Sequence, residues 1–166
     1  MLISKKNKNL IFKENIMLRE DLSNALKEAM KDKNAVDTNA IRMIIAGMKE
    51  KDVEARGKGK EKAEDETLLA MMQTMIKQRN ESIKMYTEGN RPELAEKEQA
   101  EIKVIERFMP KQLSEDEIKS VVASIIASTG AQSVKDMGKV MSSLKTEYAG
   151  KMDFGKASGI IKSLLS

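Results

Sequence analysis

Two lysine-rich stretches carry the side chains whose types and spacing could do chemistry. Residues 135–162 hold Lys135, Lys139, Lys145, Lys151, Lys156 and Lys162 against only Asp136, Glu147 and Asp153. Lys135 and Lys139 are four apart, a spacing that places them on one face of a helix. Lys151 follows Gly150, beside the expected start of the last helix, where free backbone N–H groups favour an anion. Positive charge and exposed donors, without base-reading groups, suit contact with a phosphate backbone. The same six ammonium groups are equally consistent with an ordinary solvated face. Arg56, Lys58, Lys60 and Lys62 form the second stretch, broken by Gly57 and Gly59. A flexible basic loop can fold against RNA, and it can also be a plain charged loop.

Other chemistries are closed or weakly supported. The chain has no His, Cys or Trp. That excludes Ser-His-Asp and Cys-His triads, thiolate nucleophiles and cysteine zinc sites within the chain. Glu96, Glu98, Glu101 and Glu106 could ligate a metal on a helix bundle, but such sites add a His from a Glu-x-x-His spacing. No metal, cofactor or catalytic residue is therefore expected. Gly138, in Asp136-Met-Gly-Lys139, precedes no Lys-Ser/Thr pair of a phosphate loop; close helix approach is its expected role. Arg79 falls near an apolar stripe and should pair with Glu98 or Glu101. Met71, Met72 and Met75 read as core packing, with an adaptable partner groove as the other reading.

The elements that must position these groups are helical. The 166 residues are 34% charged and 3% aromatic, with 30 Lys+Arg against 26 Asp+Glu. This length fits one domain or two small ones. With two Tyr and three Phe, the core must be built of aliphatic residues and the 13 Met. No apolar run approaches the ~20 residues of a membrane span. Residues 1–12 are interrupted by Lys and Asn and lack a secretory apolar stretch, so a soluble cytoplasmic protein is expected.

Periodicity predicts an all-α chain: an N-terminal unit of about four helices and a small C-terminal unit of three. A basic lead, 1–16, reads as disordered. Helices follow at about 17–31 and 37–55, with a long one at 65–88 ended by Gly89-Asn90. A fourth starts at Pro92, carries Leu94, Ile102, Ile105 and Met109, and must stop before Pro110. The N-terminal domain thus spans 17–109, a linker 110–113, and the C-terminal domain 114–166. In the latter, Ser114-Glu-Asp-Glu117 is a capping box, and Gly130 closes the helix it opens. A sixth helix begins at Ser133-Val-Lys-Asp136, and Asp153 can cap a seventh whose stripe is Ile160, Ile161, Leu164 and Leu165.

From Met17 onward the chain resembles the GatB/YqeY family, specifically its small stand-alone members. The blocks are Ala40-Ile-Arg-Met43; Lys77-Gln-Arg-Asn-Glu-Ser82; Gly89-Asn-Arg-Pro-Glu-Leu94 with Glu96-Lys-Glu98; Ile105-Glu-Arg-Phe-Met-Pro-Lys-Gln-Leu-Ser-Glu115; Asp136-Met-Gly-Lys-Val-Met141; and Gly150-Lys-Met-Asp153. These members are similar to the tail of GatB, a component of the tRNA-dependent amidotransferase. The resemblance implies an all-helical, two-part fold and a tail that helps hold the tRNA body while other domains do the chemistry. It implies no catalysis by this chain alone; a carbon–nitrogen ligase label, with glutamine as amido-N-donor, would be inherited by association. The expected function is tRNA binding or association with an amidotransferase or aminoacyl-tRNA synthetase. The alternative is a protein-interaction adaptor without RNA contact. Oligomeric state is not legible.

Overall fold

A computed structural model describes residues 17–166; the expectation for 1–16 lies outside them. The described residues contain seven α-helices, one short 3-10 turn and no strand: α1 (Met17–Lys31), α2 (Ala35–Gly57), α3 (Asp65–Glu88), α4 (Pro92–Glu106), α5 (Glu115–Thr129), the turn Val134–Asp136, α6 (Met137–Glu147) and α7 (Phe154–Leu165). The fold class is all-α, as the periodicity predicts. The described residues divide into two compact units, 17–108 and Met109–Ser166.

Helix ends follow from local chemistry. Asn34 caps α2 by accepting from Asp37 N–H at 3.1 Å. Asn90 (φ 54°) takes the left-handed conformation after α3, a geometry that Asn tolerates better than most residues. Pro92 opens α4, where its missing N–H is harmless. That helix ends at Glu106, short of the expected Met109, and Phe108 N–H turns back to the Ile105 carbonyl. In the second unit Ser114 and Glu117 close the reciprocal capping box. Gly130 (φ 68°) ends α5 at little steric cost. The helix expected from Ser133 begins with a 3-10 turn, and α6 proper starts at Met137.

The first unit buries Leu18 and Leu22 of α1, Ala40, Ile41 and Ile44 of α2, Leu68 and Met72 of α3, and Ile102 and Ile105 of α4. Their three- and four-residue spacings give each helix one apolar stripe, and each large aliphatic side chain so buried contributes about 1.5–3 kcal/mol. The second unit has its own core: Ile118, Val122 and Ile125 against Val140 and Leu144, with Met152, Ala157 and Ile161. Two residues expected on apolar stripes are exposed instead: Leu94 and Leu164. Each lies near an end of its helix, where fewer neighbours cover it. Gly138 also departs from expectation, because a Cβ there would meet nothing within 4 Å. Close approach occurs at Gly47, whose Cβ would lie 2.7 Å from Met71 Sδ.

Two ion pairs, the first part-buried and the second buried, complete the first unit. Arg19 of α1 donates to both oxygens of Asp52 of α2, at 2.8 and 2.9 Å. The same pair holds both backbone groups of Ala63: its N–H donates to Asp52 (2.9 Å) and its carbonyl accepts from Arg19 (3.0 Å). Arg79 of α3 donates to Glu101 of α4 at 3.0 Å, lies 3.9 Å from Glu98, and reaches the Met75 carbonyl. This is the pairing expected from sequence. It satisfies a guanidinium that would otherwise be unpaired in the interior.

Candidate nucleic-acid interface

In the second unit, Lys135 sits in the 3-10 turn, Lys139 in the first turn of α6 and Lys145 in its last. All three are exposed. Because the turn precedes α6, Lys135 and Lys139 do not share one continuous α-helical face as their spacing implied. Lys139 and Lys145 are six residues apart on α6, about 120° around the axis, and so are Lys156 and Lys162 on α7. Lys151 is half-buried in the connection between these helices, where its carbonyl accepts from Leu113 N–H at 2.8 Å. Lys145, Lys151 and Lys156 thus lie in the last turn of α6, the connection and the first turn of α7, while Lys135 and Lys139 mark the other end of α6. Among the described residues, none of the six makes an ion pair with an acid.

The local acids explain why. Asp136 accepts from the N–H groups of Gln132 (2.9 Å) and Ser133 (3.2 Å). These backbone bonds hold its carboxyl below the usual range. Asp153 caps α7, accepting from Gly155 N–H at 2.8 Å and Lys156 N–H at 3.4 Å. This corrects the expectation of an open anion site beside Lys151: the anion at that helix start is the protein's own carboxylate. Two of the three acids in 135–162 are thus engaged first by backbone donors, with Lys139 adding a weaker attraction to Asp136.

The loop cations stand differently. Arg56 lies in the last turn of α2, and Lys58 is the residue that caps it; Lys60 and Lys62 follow in the loop, and all four are exposed. Lys60 meets Glu64 at 2.6 Å, and Arg56 adds a small attraction to Asp52. Glu64, Asp65 and Glu66 come next in the chain. Glu66 is pushed up by burial and by its neighbour Glu64. The loop's positive charge is therefore opposed at its C-terminal side. The same end is fixed by the Arg19–Asp52 hold on Ala63.

Sequence reasoning missed one further surface. A groove of about 660 Å³ runs between α5 and α7, lined among others by Leu113, Ile118, Ile160 and Leu164, with Lys119 and Lys156 at its polar edge. The exposed Leu164 was its one visible signal, and the stripe assignment hid it. Among the described residues, no group of three or more Asp or Glu is arranged to hold a metal. No described helix is long and apolar enough to cross a membrane.

A family model described as Yqey-like protein matches residues 19–165. The chain belongs to the YqeY-like family. Curated relatives of this YqeY-like chain carry the name altered inheritance of mitochondria protein 41, mitochondrial. The Candida glabrata protein is 36% identical over 88 residues, covering 53% of this chain and 47% of the relative. That of Lachancea thermotolerans is 31% identical over 108 residues, covering 64% and 56%. That of Pyrenophora tritici-repentis is 33% identical over 148 residues, covering 83% and 79%. The chain spans about half the length of the first two. These names overturn the cytoplasmic expectation, since the relatives are mitochondrial proteins. The physical reason is that a missing secretory stretch or membrane span carries no information about an organelle.

Proposed function

We propose that this YqeY-like chain is a non-catalytic binding protein that holds tRNA, or a tRNA-handling enzyme such as an amidotransferase or aminoacyl-tRNA synthetase. In this reading the C-terminal unit touches the RNA backbone. The observation that carries it is the set of six lysines in 135–162 that make no ion pair among the described residues, while Asp136 and Asp153 are engaged by backbone N–H groups. Recognition is electrostatic: ammonium groups displace counterions from phosphates and read no bases. Stacking platforms are scarce, with two Tyr, three Phe and no Trp, which argues against a single-strand reader. Arg56, Lys58 and Lys60 contribute less, because Glu64 already meets Lys60. The similarity to the tail of the amidotransferase component GatB supports the same reading. Any ligase chemistry belongs to the larger assembly.

Filter binding of the full chain to bulk tRNA at roughly 50 and 200 mM salt tests this. Binding should weaken steeply with salt. Charge reversal at Lys139 and Lys151 should flatten the slope by about one per lysine. No binding at the lower salt rejects the RNA reading. One observation favours a second reading, the apolar groove between α5 and α7. There the chain is a protein-interaction adaptor without RNA contact, and partner capture that survives nuclease supports it.

A further inference from the structure

The groove between α5 and α7 has the shape, the apolar wall and the charge of a helix-docking surface. One wall is formed by Glu115, Ile118, Lys119 and Ala123 of α5, and the other by Lys156, Gly159, Ile160, Ser163 and Leu164 of α7. Both sets recur at three- and four-residue spacing, so each wall is a helical ridge, and two ridges leave a furrow into which a third helix can pack. Leu164 is 53% exposed, and Leu113 and Ile160 are half-buried. Apolar surface therefore remains open to a partner.

The charge points to the partner's chemistry. Glu115, the only acid on the groove, lies 3.4 Å from Lys119. Among the described residues Lys156 has no acid at ion-pair distance, and α7 contains no Asp or Glu. The uncompensated group on the walls is thus an ammonium, which favours a carboxylate. Gly159 adds a steric detail. It lies inside α7, its φ is not positive, and a Cβ there would meet nothing within 4 Å. Nothing among the described residues requires a glycine at this point, and its missing side chain leaves the furrow unobstructed. A phosphate could meet Lys156 but would leave the apolar walls unused. A bilayer is flat and has no ridge to enter the furrow.

We infer that this groove docks an acidic amphipathic helix of a partner protein, with apolar side chains against Leu113, Ile160 and Leu164 and a carboxylate at Lys156. This goes beyond the RNA reading and does not depend on it. The probe is a capped peptide of roughly 18 residues, long enough to form a helix, with Leu on one face and Glu on the others. A control peptide replaces each Leu by Ala. Each is titrated into the 15N-labelled full chain and followed by amide shifts. The Leu peptide should give saturable shifts at Ala123, Gly159 and Ser163, and the Ala peptide should bind at least about tenfold more weakly, as expected when anchor residues are lost. Gly159→Leu fills the furrow and should weaken the Leu peptide by a similar factor while leaving tRNA binding unchanged. Ala123→Leu, on the opposite wall, gives an independent version of the same test. Lys156→Glu should weaken it as well. Absence of saturable shifts at these amides overturns the inference. So does equal binding of the two peptides, or undiminished binding by both groove-filling variants.

Discussion

Replacing Asp52 by Ala tests the part-buried pair that joins α1, α2 and the segment before α3. The carboxylate accepts two bonds from Arg19 and one from Ala63 N–H. The Arg19 guanidinium holds it at about 2, against an ordinary 3.8, with the Ala63 N–H helping and burial opposing. That lowering corresponds to roughly 2 kcal/mol of stability at neutral pH. The Arg19 side chain is 25% exposed, so solvent screens part of the attraction and the charge contribution falls to about 1–2 kcal/mol. The Ala variant also leaves the buried Ala63 N–H without its acceptor, at a cost of about 1 kcal/mol. The expected loss is therefore about 2–3 kcal/mol. Asp52→Asn keeps an acceptor oxygen and loses only the charge, so about 1–2 kcal/mol is expected. Because the folded-state pKa is depressed, this contribution is fully present above the ordinary 3.8 and is lost as pH falls toward about 2. The stability gap between wild type and Asp52→Asn should close across that range. Urea unfolding followed by far-ultraviolet circular dichroism, at neutral pH and through the acid range, measures both effects. An Ala variant within about 0.5 kcal/mol of wild type, or a gap that ignores pH, refutes the reasoning.

Three further outcomes follow from the same contacts. Arg79→Ala leaves Glu101 buried without its donor and should cost about 3 kcal/mol in urea unfolding; Arg79→Lys should recover only part, since one ammonium cannot reproduce the guanidinium's spread of donors. Asp153→Ala should lower the stability of the C-terminal unit by about 1 kcal/mol in thermal denaturation. It also frees two N–H groups and removes a negative charge, so tRNA affinity in filter binding should rise; a fall contradicts the electrostatic reading. Gly130→Ala forces a side chain onto a φ of 68° and should destabilise by about 1 kcal/mol. Gly138→Ala meets nothing and should be neutral or stabilising by up to about 1 kcal/mol, a contrast that melting temperatures of the two variants resolve.

What could be read from the sequence was local. The capping box at Ser114 and Glu117, the Asp153 cap and the bounds of α1 and α3 depend on neighbours within four residues, where spacing alone determines geometry. Arg79 was legible because a cation on an apolar stripe requires an acid, and the next helix supplied Glu98 and Glu101. The Arg19–Asp52–Ala63 hold was not, since it joins positions 33 and 44 residues apart and no local pattern marks such a contact. Gly138 misled for a similar reason: a glycine announces freedom from a side chain, not which neighbour, if any, fills the space. Gly47, which has such a neighbour, sits unmarked in mid-helix. The lysines could be counted from sequence, but their grouping depended on where the 3-10 turn ended and α6 began. The groove escaped because it is made by two helices that are not adjacent in sequence.

The placement of sulfur in this aliphatic interior governs how the protein ages. Met72 and Met152 sit sealed in the two cores, whereas Met30 and Met85 face solvent. A peroxide meets this outer pair before the sealed one, and their conversion to sulfoxide adds polarity where water already is. Oxygen added to Met72 or Met152 would place a polar group inside a packed interior. Peptide masses after graded peroxide exposure would thus rank the methionines by depth. Early modification should leave the helices intact, and loss of structure should coincide with oxidation of the sealed pair.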